Sequence, residues 1–361
     1  MKNKLSFLLI MFVLVVLLSN IALIAMAEEK LQVAFVYHSV VGDFGWFYGH
    51  DRARKVTDEA LDFIETIYLE NVTPGATAER VMTELCKEGY EVIVCPSADG
   101  EADVLKVAEK FPDVSFLLAT GTVKRHNVES YDFKNLHVWY MLGQIAGKLT
   151  KTNTIGMTGA VVNASDLMVQ NIWLLGAQSV NPDVEERIIY INGYYDPAAE
   201  KDVALSLIDS GADVVAQATN TAAHVQAAQE FGVYAMCQYE DMRKFGPDAY
   251  VSGDKILWEN YYIPTFTAIR DNTWEPSVLT YLSDFDVIQL ADYGPMVTDE
   301  IKEMIEETKK KLKEDPQLIW DGPIYDVDGN VKVKEGERLT PKQLLEMNWW
   351  VKGTITSMTN K

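Results

Sequence analysis

The chain of 361 residues is poor in cysteine, with Cys86, Cys95 and Cys237 alone. The number is odd and no C-x-x-C pair occurs, which argues against a disulfide framework or a cysteine-held zinc. Each sits in an apolar run and reads as a buried free thiol. Histidine is scarce as well: the five, at 38, 50, 126, 137 and 224, show no metal-ligand spacing. No metal and no cofactor is expected. No G-x-S-x-G nucleophile turn occurs. The run "GQIAGKLT" at 143–150 has only the outline of a phosphate loop, because three residues separate its glycines and Leu149 follows the lysine. It lies inside a helical run, where small residues serve packing. With no nucleophile–base pair in view, the chain is not expected to be an enzyme. Positive charge is also short: 32 Lys and Arg against 53 Asp and Glu leave a net charge of -21. That balance argues against nucleic acid or an anionic membrane surface as partner.

The N-terminus reads as a secretory signal peptide over residues 1–27. Lys2 and Lys4 form a basic start, residues 5–18 are apolar except Ser6, and Ala25-Met26-Ala27 is an A-x-A cleavage pattern. The competing reading is an uncleaved anchor, since residues 5–27 nearly reach the length of a membrane span. No cysteine lies near the cut, which argues against a lipid-modified terminus. The protein is expected to be exported, periplasmic or otherwise extracytoplasmic.

After residue 30, short β-rich runs alternate with helical runs. The strand candidates are "LQVAFVY", "DFIETIYL", "EVIVCP", "VSFLLAT" and "NLHVWY", then "TIGMTG", "ERIIYI", "DVVAQA" and "VYAMCQ". Strands separated by helices mean βαβ units and parallel sheets. This many strands predicts two α/β lobes. An internal echo supports that division. "AERVMTELCKEGYEVIVCPSADGEADVLKVAEKF" and "AEKDVALSLIDSGADVVAQATNTAAHVQAAQEF" each run from a helix to a glycine, a strand, a polar turn and a second helix. The spacing from Gly89 to Phe111 is 22 residues and from Gly211 to Phe231 is 20. Further on, "ILWENYYIPTFTAIRDNTW" and "TDEIKEMIEETKKKLKED" read as helices, and "YDVDGNVKV" as a hairpin turning at Asp328-Gly329. The same run fails as a calcium loop, because Gly329 directly follows Asp328 and the ligand register is lost.

In parallel α/β sheets, ligands sit beyond the carboxyl ends of the strands. The turns there are "GDFGWF", "PSADG", "TGT", "AVVNASD", "NGYYDP", "ATNT" and "QYED". They offer aromatics (Trp46, Tyr194, Tyr195), amides (Asn220, Gln238), hydroxyls (Ser97, Thr219) and carboxylates (Asp43, Asp196, Asp241), with almost no Arg or Lys. Such a set suits a flat, neutral, hydrogen-bonding ring better than a phosphate. Asp43 also suits a helix N-cap, and Asp196-Pro197 an Ncap-N1 start. The first glycine turn, with Gly42, Gly45 and Gly49, lacks the G-x-G-x-x-G spacing of dinucleotide binders.

Segments along nearly the whole of 31–355 resemble the basic membrane protein (BMP) family of ABC-transporter substrate-binding proteins, in its purine-base and nucleoside-binding branch. They include "VGDFGWFYGHDRARK", "GATAERVMTELCKEGYEVIVCPS", "YYDPAAEKDVALSLIDSGADVVAQ", "VQAAQEFGVYAMCQYEDM" and "DGPIYDVDGNVKVKEGERLTPKQLLEMNWWVKG". The resemblance implies a type I periplasmic-binding-protein fold, with two Rossmann-like lobes joined by three hinge crossings. It implies a first lobe of 31–139 plus about 252–284 and a second of 140–251 plus about 285–361. Nucleoside-binding members carry Asp-Lys-Ser-Phe-Asn where this chain has Asp43, Phe44, Gly45, Trp46 and Phe47. Asp43 keeps the acid that would meet the base edge, Trp46 replaces the stacking Phe, and Phe47 replaces the Asn. The second-lobe stacking aromatic falls at Tyr194 or Tyr195. Gln238 stands where the ribose-holding Asp would be. Lys255 has no sure match to the family's binding lysine, and Trp258 is an alternative wall of the cleft. The ligand-binding set implied is Asp43, Phe44, Gly45, Trp46, Ser97, Tyr194, Tyr195, Thr219, Asn220, Gln238, Asp241 and Trp258. Loss of the ribose acid favours a free, adenine-like purine base delivered to an ABC permease by a monomeric binding protein. The alternatives are a nucleoside, a sugar or another small signal, a ligand-sensing receptor partner without transport, and a secreted nucleoside-processing enzyme.

Overall fold

The computed structural model describes residues 30–42, 44–277, 280–282 and 285–360. The signal-peptide segment and Asp43 therefore lie outside the described residues. The first half runs β1 (Leu31–Val36), α1 (Trp46–Ala60), β2 (Ile64–Leu69), α2 (Ala76–Glu88), β3 (Val92–Cys95), α3 (Glu101–Lys110), β4 (Ser115–Ala119) and β5 (Val128–Phe133). The second continues with α4 (Leu136–Leu149), β6 (Thr154–Gly159), α5 (Ala164–Val180), β7 (Glu185–Tyr190), α6 (Pro197–Asp209), β8 (Val214–Gln217), α7 (Ala223–Phe231), β9 (Tyr234–Cys237) and β10 (Tyr250–Ile256). The chain then returns through α8 (Glu259–Arg270) and β11 (Thr280–Leu282). It finishes with β12 (Ile288–Leu290), α9 (Asp299–Glu314), β13 (Ile324–Tyr325), β14 (Val331–Val333), α10 (Pro341–Leu345) and β15 (Thr354–Thr356).

Two sheets result, ordered β11-β5-β4-β3-β1-β2 and β12-β10-β9-β8-β6-β7-β15. The first is parallel throughout its described pairs, and the second is parallel except where β12 runs against β10. Strands such as β3 and β8 are buried at every position, as expected where helices cover both faces. This is the two-lobed type I periplasmic-binding-protein architecture. The chain crosses between the sheets after β5, after β10 and between β11 and β12.

Three expectations change. "NLHVWY" is not a strand: Leu136 opens α4, and its burial follows helix packing against α5. The strand of that βα unit is β5, "VESYDF", whose four leading residues are buried. The second crossing does not lie near residue 252, because β10 runs to Ile256 within the second sheet, paired with β9 and β12. The first crossing precedes α4 rather than following residue 139, since α4 packs along α5 of the second lobe. We propose on this basis that the first lobe is 31–133 plus 257–282. The "GQIAGKLT" glycines serve that helix pair: a Cβ on Gly143 would strike the Trp173 carbonyl, and one on Gly147 the Ala177 carbonyl. The "YDVDGNVKV" hairpin forms as β13 and β14, with Gly329 at φ +82°.

Candidate functional site

Between the sheets, at the carboxyl ends of their strands, lies a cavity of about 1530 Å³. The first lobe contributes His38 and Ser39 after β1, Ser97 and Asp99 after β3, Thr120 after β4, and Asp132 and Phe133 at the end of β5. The second contributes Asn163 and Asp166 after β6, Tyr194 and Tyr195 after β7, Asn220 after β8, and Gln238 and Tyr239 after β9. Trp46 and Phe47 open α1 at the same place. The cavity extends past Phe285 to the end of α9 and to α10.

Trp46 is the best-anchored aromatic. Its Nε1 donates to the Pro96 carbonyl at 2.6 Å. Its ring meets Phe133, Tyr239 and Trp258 at centroid distances of 5.4 Å each, and His50 at 4.8 Å. Aromatic pairs prefer such tilted and edge-on geometries, which here fix the indole without a covalent tie. Its backbone N–H donates across the cleft to Asn220 Oδ1 at 3.1 Å. Gly45 is needed at that contact, because a Cβ there would collide with Asn220.

Other ties join the lobes nearby. Arg52 on α1 donates to Glu240 at 2.6 Å, to Glu259 at 2.8 Å and to the Ile256 carbonyl at 2.7 Å. Asn135, at the first crossing, donates to Asp254 of β10 at 2.7 Å, and the Tyr239 N–H donates to the same carboxylate at 2.9 Å. Burial pushes the Asp254 carboxyl up to about 6. Tyr239 itself sits at φ +74°, a costly backbone for a non-glycine residue, and it is held there at the cavity wall.

The polar lining carries three carboxylates, Asp99, Asp132 and Asp166, beside Lys134, Lys313, His38 and His137. Asp166, in the first turn of α5, accepts from Asn163 Nδ2 at 3.1 Å and from the Tyr194 hydroxyl at 3.3 Å. Desolvation raises its pKa to about 6. Desolvation likewise raises Asp132, and burial lowers His38 against the pull of Asp99 and Asp103. The carbonyl oxygen of the Gln238 side chain is buried with no partner among the described residues.

Of the twelve residues implied for the site, Trp46, Ser97, Tyr194, Tyr195, Asn220 and Gln238 line the cavity. Asp43 lies outside the described residues. Phe44 does not line it: at φ +63° its ring stacks on Tyr48 at 4.0 Å and abuts Phe245 of the second lobe at 5.1 Å. Gly45 acts through its closeness to Asn220. Trp258 is buried behind Trp46, stacked on His50 at 4.3 Å. Thr219 is fully buried, and Asp241 accepts from Arg243 at 2.9 and 3.1 Å. Sequence reasoning missed Phe133, because the strand that carries it was read one segment late. It also passed over Asp166 and Tyr239, although their turns, "AVVNASD" and "QYED", were among the strand ends.

The fold and the cleft define a bilobed solute-binding protein. Residues 30–318 match the Bmp family of PnrA-like ABC transporter substrate-binding proteins, and the chain belongs to that family. It is 38% identical over 330 residues to the "purine-binding protein BAB2_0673" of Brucella abortus, covering 91% of this chain and 94% of the relative. It is 32% identical over 298 residues to the "putative ABC transporter glucose-binding protein TsgA13" of Haloferax volcanii, covering 82% and 76%. A solute-binding protein of an ABC transporter system from Conexibacter woesei shares the fold at TM-score 0.68 and 19% identity, over 80% of this chain and 97% of that one.

Proposed function

We propose that the chain captures a purine base, or a heterocycle of similar shape, in the interlobe cleft outside the cytoplasm and delivers it to an ABC permease. The carrying observation is the lining itself. Trp46, Phe133, Tyr194, Tyr195 and Tyr239 supply flat faces, whereas Lys134 and Lys313 are the only lysine or arginine among the lining residues. Stacking on aromatics is worth on the order of 1–3 kcal/mol per base in nucleic-acid binders and suits any ring with a π-face. Identity to a purine-binding relative over nearly the whole chain supports the same choice. The role is capture and release by lobe closure, with no bond made or broken; closure follows because the ligand binds the closed arrangement more tightly.

A sugar is the second reading, favoured by the glucose-binding name of the second relative. Isothermal titration with adenine, guanine, hypoxanthine, adenosine and glucose separates the two. Tight binding of at least one free base, with weaker adenosine and no glucose heat, is expected. Glucose binding without base binding would overturn the proposal.

A further inference from the structure

We propose that Asp166, held between Asn163 and Tyr194, is a specificity-determining carboxylate that accepts an N–H of the bound ring, so that the cleft takes neutral, N–H-rich heterocycles and rejects anionic ones. This rests on the heterocycle reading above and sharpens it. A carboxylate offers about four acceptor positions. Both side-chain donors to Asp166 converge on one oxygen, Oδ2, and the Val161 N–H also donates to the carboxylate, so three of its acceptor positions are used and the rest face a ligand. The cavity wall at this point carries no guanidinium, and Asp166 makes no ion pair among the described contacts. A desolvated carboxylate that borders a cleft and lacks a cation gains most from a ligand N–H, because charge-assisted hydrogen bonds are the strong ones.

A second acceptor stands on the same lobe. Gln238 is 4% exposed, lines the same cavity, and its amide oxygen has no partner among the described residues. That oxygen is turned away from the open cavity, so it meets a ligand N–H only after the amide rotates, and Asp166 is the acceptor already presented. Adenine and guanine present ring and exocyclic N–H groups; urate, an anion at neutral pH, would bring its charge towards Asp99, Asp132 and Asp166.

The groups facing Asp166 limit what else can titrate. Tyr190 and Tyr194 are raised to about 12 and Tyr239 well above its usual value, so all three stay neutral at pH 5 to 7.5. Across the cleft stand His38, Asp99 and Asp132, with Lys134 at the first crossing and His137 and Lys313 on the second lobe. Variants at Asp166 leave those groups in place, so a difference between wild type and variant isolates this carboxylate.

The test is titration of adenine, guanine and urate into the full chain, its Asp166→Asn variant and its Asp166→Glu variant, at pH 7.5 and pH 5. Wild type should bind its preferred base about tenfold more weakly at pH 5 than at 7.5, since about a tenth of a carboxyl of pKa 6 is ionised there. Asp166→Asn should bind at least fivefold more weakly at pH 7.5, lose most of the pH dependence, and discriminate less against urate; Asp166→Glu should keep the pH dependence. Native near-UV dichroism in both variants excludes unfolding. An Asp166→Asn variant with wild-type affinity and pH profile would overturn the role of Asp166 while leaving base binding intact. A wild type that binds no base at either pH would overturn the heterocycle reading, and this inference with it.

Discussion

Replacing Trp46 by alanine removes the ring that four aromatic neighbours hold at the cleft wall. If that ring stacks on the ligand, its loss costs on the order of 1–3 kcal/mol of binding, or about 5- to 150-fold in Kd. At least a tenfold loss is expected. The substitution also opens space between His50, Phe133, Tyr239 and Trp258, so stability must be separated from binding. Trp46→Phe makes that separation: it keeps a stacking face and gives up the hydrogen bond to the Pro96 carbonyl, worth about 1 kcal/mol of folding stability. Isothermal titration with the preferred base, beside thermal melts of each variant, reads both effects. The phenylalanine variant should melt lower yet bind within about threefold of wild type. A folded Trp46→Ala protein with unchanged affinity would remove this indole from the binding site.

Gly45→Ala should obstruct closure, because its Cβ would meet Asn220 across the cleft; scattering with saturating base should show a more open particle than wild type, and equal compaction would contradict this. Arg52→Ala strands Glu240, whose side chain is 5% exposed, and should cost about 3 kcal/mol of stability by urea unfolding. A loss below about 1 kcal/mol would mean that Arg52 is not holding the hinge. Asp254, raised to about 6 in the fold, binds its proton more tightly folded than unfolded, so its contribution to stability falls as pH rises from about 4 to about 6 and is level above. Asp254→Asn should lack that decline, up to about 3 kcal/mol, in urea midpoints measured from pH 4 to 7. Parallel profiles for the two proteins would refute the assignment.

Much of the fold was legible because parallel sheets write themselves as apolar runs between helices. "LQVAFV" and "VVAQ" became strands, and the Ala-Glu helices ending at Gly89 and Gly211 became α2 and α6, with both glycines at positive φ. "NLHVWY" misled because a short apolar run is the same for a buried helix as for a strand, and only its packing against α5 decides. The site was half legible. Its strand-end turns were found, but which side chain of each turn faces the cleft depends on tertiary contacts. Phe44 turns to Phe245 because of its left-handed backbone, and Trp258 is hidden by the stack with His50. Tyr239 carries a strained φ that no residue type announced.

The most direct measurement is mass spectrometry of the small molecule released by denaturing the protein as purified, paired with competition of the released molecule by adenine, guanine and glucose. A free purine base, displaced by one of the two bases and not by glucose, is the expected result. A sugar, displaced by glucose and indifferent to both bases, would contradict the assignment of this cleft to a heterocycle.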